Sequence, residues 1–238
     1  LDKGERLWWV SKIGSYPKGV PVLGTEMLYV TADGGEEPFL PPFDESLKQY
    51  DSNKDQRIQR EEMKSHAEAY DHFGWLDANN DGGVDRAEYD FVRSSTTSGH
   101  GLTAVRLSGR GDLTSSNIVW SLKKSYPSIP SPLIYQGVMY LMKEGGIVSS
   151  LDPSNGQVLK QGRTPDALEE YYASPVAADG KIFMVSASGK VTVLKAGAQW
   201  EILAMNDLDE EVWATPAIAG NNLYIRTRSA LYSFGAAK

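Results

Sequence analysis

Residues 174–194 read SPVAADGKIFMVSASGKVTVL: a Ser-Pro pair, three apolar residues, an Asp-Gly turn, an apolar run with an aromatic at Phe183, a Ser-Gly turn and a last alternating run. Short runs of apolar and β-branched residues split by glycine turns spell antiparallel strands. The opening pair recurs at Ser131-Pro132 and Thr215-Pro216, so the prolines are spaced by 43 and then 41 residues. Eight residues after each proline stands an aromatic: Tyr140, Phe183 and Tyr224. Strands are expected at 133–135, 138–142 and 147–151 in one copy, at 176–178, 181–185, 191–194 and 200–204 in the next, and at 217–219, 223–226 and 230–234 in the last. Four strands in 41 to 43 residues is the blade of a β-propeller. A β-sandwich rarely repeats a proline, a glycine turn and an aromatic in register.

A fourth copy of the signal lies at Val20-Pro21 with Tyr29, but it precedes Pro132 by 111 residues. One repeat accounts for part of that spacing and leaves an excess of about 70 residues. The chain therefore reads as propeller over 1–35, an insertion over 36–98, and propeller blades over 99–238.

The insertion carries the most specific chemistry. Residues 51–62 and 77–88 each place oxygen-bearing side chains at positions 1, 3, 5 and 12 of a twelve-residue stretch, the order in which an EF-hand loop wraps a calcium ion. In the second stretch Asp77, Asn79, Asp81 and Glu88 hold these positions, Gly82 sits at the sharp turn, Gly83 offers a carbonyl at position 7, and Asp85 could bind through a water. In the first stretch Asp51, Asn53, Asp55 and Glu62 take the same roles, with the Arg57 carbonyl at position 7. Gln56 replaces the glycine, and a left-handed conformation costs a residue with a Cβ about 1 kcal/mol. Lys54, Arg57 and Arg60 oppose a cation in the first loop, while the second sets four carboxylates against Arg86. Two calcium sites are expected, the second stronger. Phe43, Leu47 and Tyr50 precede the first loop at helical spacing, as Phe73 and Leu76 precede the second. Ile58 and Val84 occupy position 8, where paired loops join through a two-stranded contact. The fourteen residues 63–76 are short for two helices and a turn, so a compact or continuous linking helix is expected. Acidic Asx-turns without an ion are the bland alternative.

Composition bounds the rest. Residues 36–94 hold 15 of the 31 acidic and 7 of the 24 basic side chains, so the net charge of −7 belongs to the insertion. The remainder lacks the basic stripe of a nucleic-acid binder. The absence of cysteine excludes disulfides and thiolate metal sites. No run of 18 apolar residues is present, so no membrane-spanning segment is expected, and the N-terminal Leu-Asp-Lys-Gly is no signal peptide. The last repeat has three strands, whereas residues 5–10, rich in Trp8 and Trp9, resemble an outer fourth strand without its preceding three. The fold expected is thus mainly β, a propeller of four-stranded blades with about four blades in this chain. Its final blade would be completed by the N-terminal strand or another chain, and an α-helical EF-hand pair is inserted.

The strings at 179–183 (DGKIF), 151–156 (LDPSNG) and 214–218 (ATPAI) resemble the pyrroloquinoline-quinone-like (PQQ-like) β-propeller repeat family. Its outer motif sets a glycine four residues before a tryptophan that docks between blades, as Gly4 and Trp8 do. Trp120 has Ser116 at the glycine position, Trp200 follows Gly197 by three, and Lys160 stands where Gly156 calls for tryptophan. The resemblance covers 1–35 and about 100–238. It implies seven or eight blades, of which this chain looks like the C-terminal half. It also implies a similarity to exported bacterial members with calcium hands between strands, to quinoprotein dehydrogenases, and to an outer-membrane assembly scaffold.

The leading functional expectation is a non-catalytic, calcium-binding scaffold or interaction protein, periplasmic or secreted, with a protein partner through self-association or the other half of the propeller. A quinone-dependent dehydrogenase is the alternative, but the vicinal disulfide typical of those enzymes cannot form here, and PQQ is not expected. A carbohydrate-binding or hydrolytic propeller would draw on Glu169-Glu170 and Asp209-Glu210-Glu211 as paired carboxylates, or on Tyr171-Tyr172 and Trp8-Trp9 as a groove. Solvated charge runs and inter-blade packing are their simpler readings. His66, His72 and His100 form no spaced ligand set. A calcium switch would need a methionine-rich groove, and the insertion holds only Met63.

Overall fold

A computed structural model describes residues 4–34, 40–96 and 99–235. The expected boundary at 35/36 and residues 97–98 lie outside the described residues. Ahead of the first blade comes β1 (Trp8–Trp9), then β2 (Val22–Leu23) and β3 (Met27–Ala32). The insertion follows as α1 (Phe43–Tyr50), β4 (Ile58–Gln59), a 3-10 turn at Arg60–Met63, α2 (Ala67–Asp71), α3 (Phe73–Leu76), β5 (Gly83–Val84) and α4 (Arg86–Thr96). The chain returns through β6 (Gly101–Arg106), β7 (Gly111–Asp112) and β8 (Ile118–Leu122). A second blade comprises β9 (Leu133–Tyr135), β10 (Val138–Lys143), β11 (Ile147–Leu151) and β12 (Val158–Arg163). The third holds β13 (Val176–Ala178), β14 (Lys181–Val185), β15 (Lys190–Lys195) and β16 (Glu201–Asp207), and the last β17 (Ala217–Ala219), β18 (Asn222–Arg226) and β19 (Leu231–Gly235).

The first three sheets are four-stranded antiparallel meanders, the first in the order β2-β3-β6-β8. β3 and β6 pair in unbroken register from Met27↔Arg106 to Ala32↔Gly101, so residues 33–100 leave the blade at a single hairpin. The cores lie between blades. Tyr29, Leu102, Met139, Leu141 and Leu151 join the first to the second; Tyr140, Met142, Val148, Ile182 and Leu194 join the second to the third. Val185, Val191, Val212 and Ile225 join the third to the last. Burying a side chain of this size is worth about 1.5–3 kcal/mol, so blade stacking supplies most of the fold.

The hydroxyl before each proline has a mechanical reason. The Val20 N–H donates to Ser131 Oγ at 2.8 Å, the Ser131 N–H to Ser174 Oγ at 2.9 Å, and the Ser174 N–H to Thr215 Oγ1 at 3.0 Å. Each repeat thereby holds the inner strand of the one before it. Val20 opens the row, and no described repeat before it donates to its side chain. The aromatic eight residues on also bridges blades: Tyr29 OH donates to the Pro153 carbonyl at 2.9 Å, and Tyr140 OH accepts from the Gly197 N–H at 2.6 Å.

Trp120 docks on the neighbouring blade as its motif implies. Its Nε1 donates to the Pro153 carbonyl at 3.0 Å, and a Cβ on Gly156 would meet its ring at 2.6 Å. Trp200 behaves differently, because Ile202 pairs with Leu194 just as Val158 pairs with Leu151, which puts Trp200 in the turn rather than in the docking position. It packs back over Gly162, where a Cβ would lie 2.8 Å from its ring, with Lys160 Nζ 4.4 Å from the ring centre.

The N-terminal strand does not complete the final blade. β1 pairs in parallel with β7, Trp8↔Gly111 and Trp9↔Asp112, inside the β6–β8 connection of the first blade. The left-handed Gly111 turns that connection so that the Gly111 and Leu113 N–H groups face outward, and they donate to the Leu7 and Trp9 carbonyls at 2.9 Å each. β19 pairs only with β18 among the described residues, and Leu231, Tyr232 and Phe234 on it are exposed.

The hydroxyl row makes a specific demand on stability. Ser131→Ala and Ser174→Ala should each lower the unfolding free energy by about 1 kcal/mol in urea titration, whereas Val20→Ser should change it by less than about 0.5 kcal/mol. Equal costs at all three positions would contradict the row.

Candidate metal centre

The insertion has its own core of Phe43, Ile58, Met63, Phe73, Leu76, Val84 and Tyr89. Tyr89 ties α4 to α1, with its hydroxyl 2.6 Å from Ser46 Oγ and 3.1 Å from the Pro41 carbonyl, and its ring 5.1 Å from Phe43. Between the loops the chain is compact but not one continuous helix; it breaks into the 3-10 turn, α2 and α3. At the root, Gly34 and Gly99 pass so closely that a Cβ on Gly34 would meet the Gly99 carbonyl oxygen at 2.0 Å. Asp33 fastens this neck to the propeller by accepting from Lys18 Nζ at 3.0 Å, Tyr126 OH at 3.2 Å and Ser128 Oγ. Burial and then the Asp33 charge push the Tyr126 hydroxyl up to about 12, so it remains a donor to that carboxylate.

The two loops pair at position 8, Ile58↔Val84, with Gln59↔Gly83 beside it. They repeat one hydrogen-bond pattern position by position. At position 1, Asp51 accepts from the Asp55 and Gln56 N–H groups at 3.1 and 3.0 Å, and Asp77 from Asp81 and Gly82 at 3.1 Å each. At position 3, Asn53 Oδ1 accepts from the Asp55 N–H at 2.9 Å and Asn79 Oδ1 from Asp81 at 2.7 Å. At position 5, Asp55 accepts from the Arg57 N–H at 2.9 Å and Asp81 from Gly83 at 3.1 Å. At position 12, Glu62 accepts from the Gln59 N–H at 2.9 Å and Glu88 from Asp85 at 3.1 Å, each closing a capping box at a helical turn. Asp85 caps in return, accepting from the Glu88 N–H at 2.9 Å. The backbone follows suit: positions 4 and 6 are left-handed in both loops, Lys54 and Asn80 at φ 64 and 58, Gln56 and Gly82 at φ 65 and 91. Gln56 carries the strain that its Cβ implies, while Gly82 has open space around it.

Among the described residues no three carboxylates or imidazoles gather into a ready-made metal-holding group. The acceptors are turned onto loop N–H groups, and at Asp55, Glu62 and Asp81 those contacts stabilise the charged form. Burial works against the Glu62 charge, yet hydrogen bonds from Gln59, Ser52 and Asn53 hold it below the usual carboxylate range. The Gly83 N–H and then the Arg57 guanidinium do the same for Asp81. In type and order the donors fit a calcium site: three side-chain oxygens from positions 1, 3 and 5, a backbone carbonyl at position 7, and a two-oxygen glutamate at position 12.

The sequence misassigned two basic side chains. Arg86 leaves the second loop, pairing with Asp44 and lying 4.9 Å over the Phe43 ring. Arg57 leaves the first, its Nη2 reaching Asp81 Oδ1 at 2.5 Å and the Gly83 carbonyl. The pairing of position 8 with position 8 was the available signal, because it sets position 7 of one loop beside the acidic positions of the other.

Several of the other candidates have structural partners. Glu169 accepts from Ser186 Oγ at 2.7 Å and from Ser188 Oγ, and Glu210 from Ser229 Oγ, so each clamps an inter-blade linker to the next hairpin. Tyr171 is buried in the core, and Tyr172 lies 5.1 Å from Trp213. His66 contacts Tyr50 and Gln49, His72 lies by Trp75, and His100 by Tyr126. No helix among the described residues is long and apolar enough to cross a membrane.

No curated protein sequence matches this chain. Among solved structures, the computationally designed Ika4 protein aligns at a TM-score of 0.55 and 8% identity over 98% of this chain and 99% of its own. The quinohemoprotein alcohol dehydrogenase ADHIIG from Pseudomonas putida HK5 aligns at 0.52 and 11% over 93% of this chain and 30% of its own. Both likenesses concern the fold alone. BamB from Moraxella catarrhalis aligns at 0.43 and 20% over 56% of this chain, which spans 39% of that protein's length. The family model described as outer membrane protein assembly factor BamB matches residues 43–238, from α1 through the last blade, and this chain, with its row of PQQ-like blades, belongs to that family.

Proposed function

We propose that this chain is a non-catalytic, exported propeller scaffold whose inserted EF-hand pair binds two calcium ions that order it. The observation that carries the reading is the position-by-position repetition of one acceptor pattern in two loops joined at position 8. Asp51, Asn53, Asp55, the Arg57 carbonyl and Glu62 would hold one ion; Asp77, Asn79, Asp81, the Gly83 carbonyl and Glu88 the other. Bound calcium supplies a double positive charge that offsets repulsion among these carboxylates. The chain's own part is to preset each loop: the N–H groups orient the acceptors, Ile58 and Val84 fix the loops against one core, and Tyr89 joins the outer helices. The second loop binds more tightly, since Gly82 takes its left-handed conformation freely and Gln56 does not.

The propeller presents the interaction surface. Among the described residues the outer edge of β19, with Leu231, Tyr232 and Phe234 exposed, pairs with no further strand and is the kind of edge a partner strand adds to. A second copy of this chain is the occupant proposed for the protein in isolation.

Calcium 100-fold above its dissociation constant should add about 2.7 kcal/mol to the folded insertion, raising the melting midpoint against a chelator-treated sample. Glu88→Gln should remove more of that shift than Glu62→Gln. Identical curves in calcium and chelator would contradict a structural ion. Sedimentation should give a mass about twice 26.1 kDa; a monomer at tens of micromolar would contradict self-association through β19.

A further inference from the structure

The side chain of Arg57 begins in the first loop and ends in the second. Its Nη2 lies 2.5 Å from Asp81 Oδ1 and also donates to the Gly83 carbonyl, the position 5 and position 7 oxygens of the neighbouring loop. The guanidinium stacks on the Gly83 backbone so closely that a Cβ there would meet its central carbon at 3.1 Å. Asp85 and Glu88 add their negative charge to the same surroundings. In the first loop the Asp55 carboxylate receives, besides the position 7 N–H, only neutral amides: Gln59 at 2.6 Å and Asn53 at 3.2 Å reach its Oδ2, the latter as Asn79 reaches Asp81 Oδ2. The two loops are alike in fold but not in what occupies their ligand oxygens.

From this juxtaposition we infer that the Arg57 guanidinium is a tethered cation resident in the second loop, which calcium must displace to reach Asp81 and Gly83. The inference rests on the calcium reading of the loops. A planar guanidinium satisfies two of the second loop's oxygens and leaves Asp77, Asn79 and Glu88 to the backbone N–H groups. Calcium takes six to eight oxygens at once, so it wins the exchange but loses affinity to the contacts it breaks. The exchange is feasible because the pair is open to water: side-chain exposure is 37% for Arg57 and 44% for Asp81. An exposed ion pair is weak, so the resident cation lowers affinity rather than blocking the site. It narrows the margin by which the second loop exceeds the first. It also links them, because the Arg57 carbonyl is the position 7 ligand proposed for the first loop. The second loop is thereby tuned to respond over a higher calcium range than its own carboxylates would set.

The test isolates the second loop in a Glu62→Gln background and titrates calcium by calorimetry, with and without Arg57→Gln. Arg57→Gln should tighten binding about threefold to tenfold, and Arg57→Lys, which keeps the charge but loses the fork, should fall between. An unchanged or weaker constant in Arg57→Gln overturns the inference. Absence of calcium binding in the Glu62→Gln parent and the native chain alike would instead refute the calcium reading itself. In the native chain, the Arg57 side-chain NMR signal should move as the second loop fills; an Arg57 signal unmoved by saturating calcium overturns the displacement without any variant.

Discussion

The joining of insertion and propeller depends on one pairing, the six-residue register between β3 and β6 that closes a blade hairpin across residues 33–100. A flexible segment of that length would charge its closure entropy against the sheet, although the cost grows only slowly with length. The insertion lessens it by folding on its own core and bringing its two ends together at Gly34 and Gly99. Asp33 then fixes the neck to the linker that leads into the second blade. The blade tolerates the guest because the guest enters and leaves at one point.

Beyond that hairpin the propeller is held by a repeated device. Hydroxyls before prolines accept from the preceding repeat, aromatics reach into the following turn, and carboxylates clamp linkers to hairpins. These polar contacts set the register of the blades, while apolar side chains between the sheets supply the larger energy. One carboxylate of each acidic run in the sequence, Glu169 and Glu210, is consumed by this duty.

The strands and blades were legible because their signals are local and periodic: a proline, a glycine turn and an aromatic at fixed offsets. The excursion between β3 and β6 was legible from excess length, and the order of Asp, Asn and Glu within it is what suggests calcium loops there. What could not be read depends on contacts between distant segments. β1 is two residues long and finds its partner in a connection opened by Gly111, which no periodicity announces. Trp200 follows a glycine much as the docking motif asks, yet the strand register places it elsewhere. Arg57 was counted against the first loop because charge was summed along the chain, whereas its long side chain delivers that charge to the second.

The central claim is that calcium orders the insertion while the propeller stands without it. Amide hydrogen exchange tests this residue by residue. With calcium, the loop amides and those of Ile58 and Val84 should exchange markedly more slowly, while Val148 and Ile182 in the blades keep their rates. Exchange in the insertion that is the same with calcium and with chelator would contradict the account.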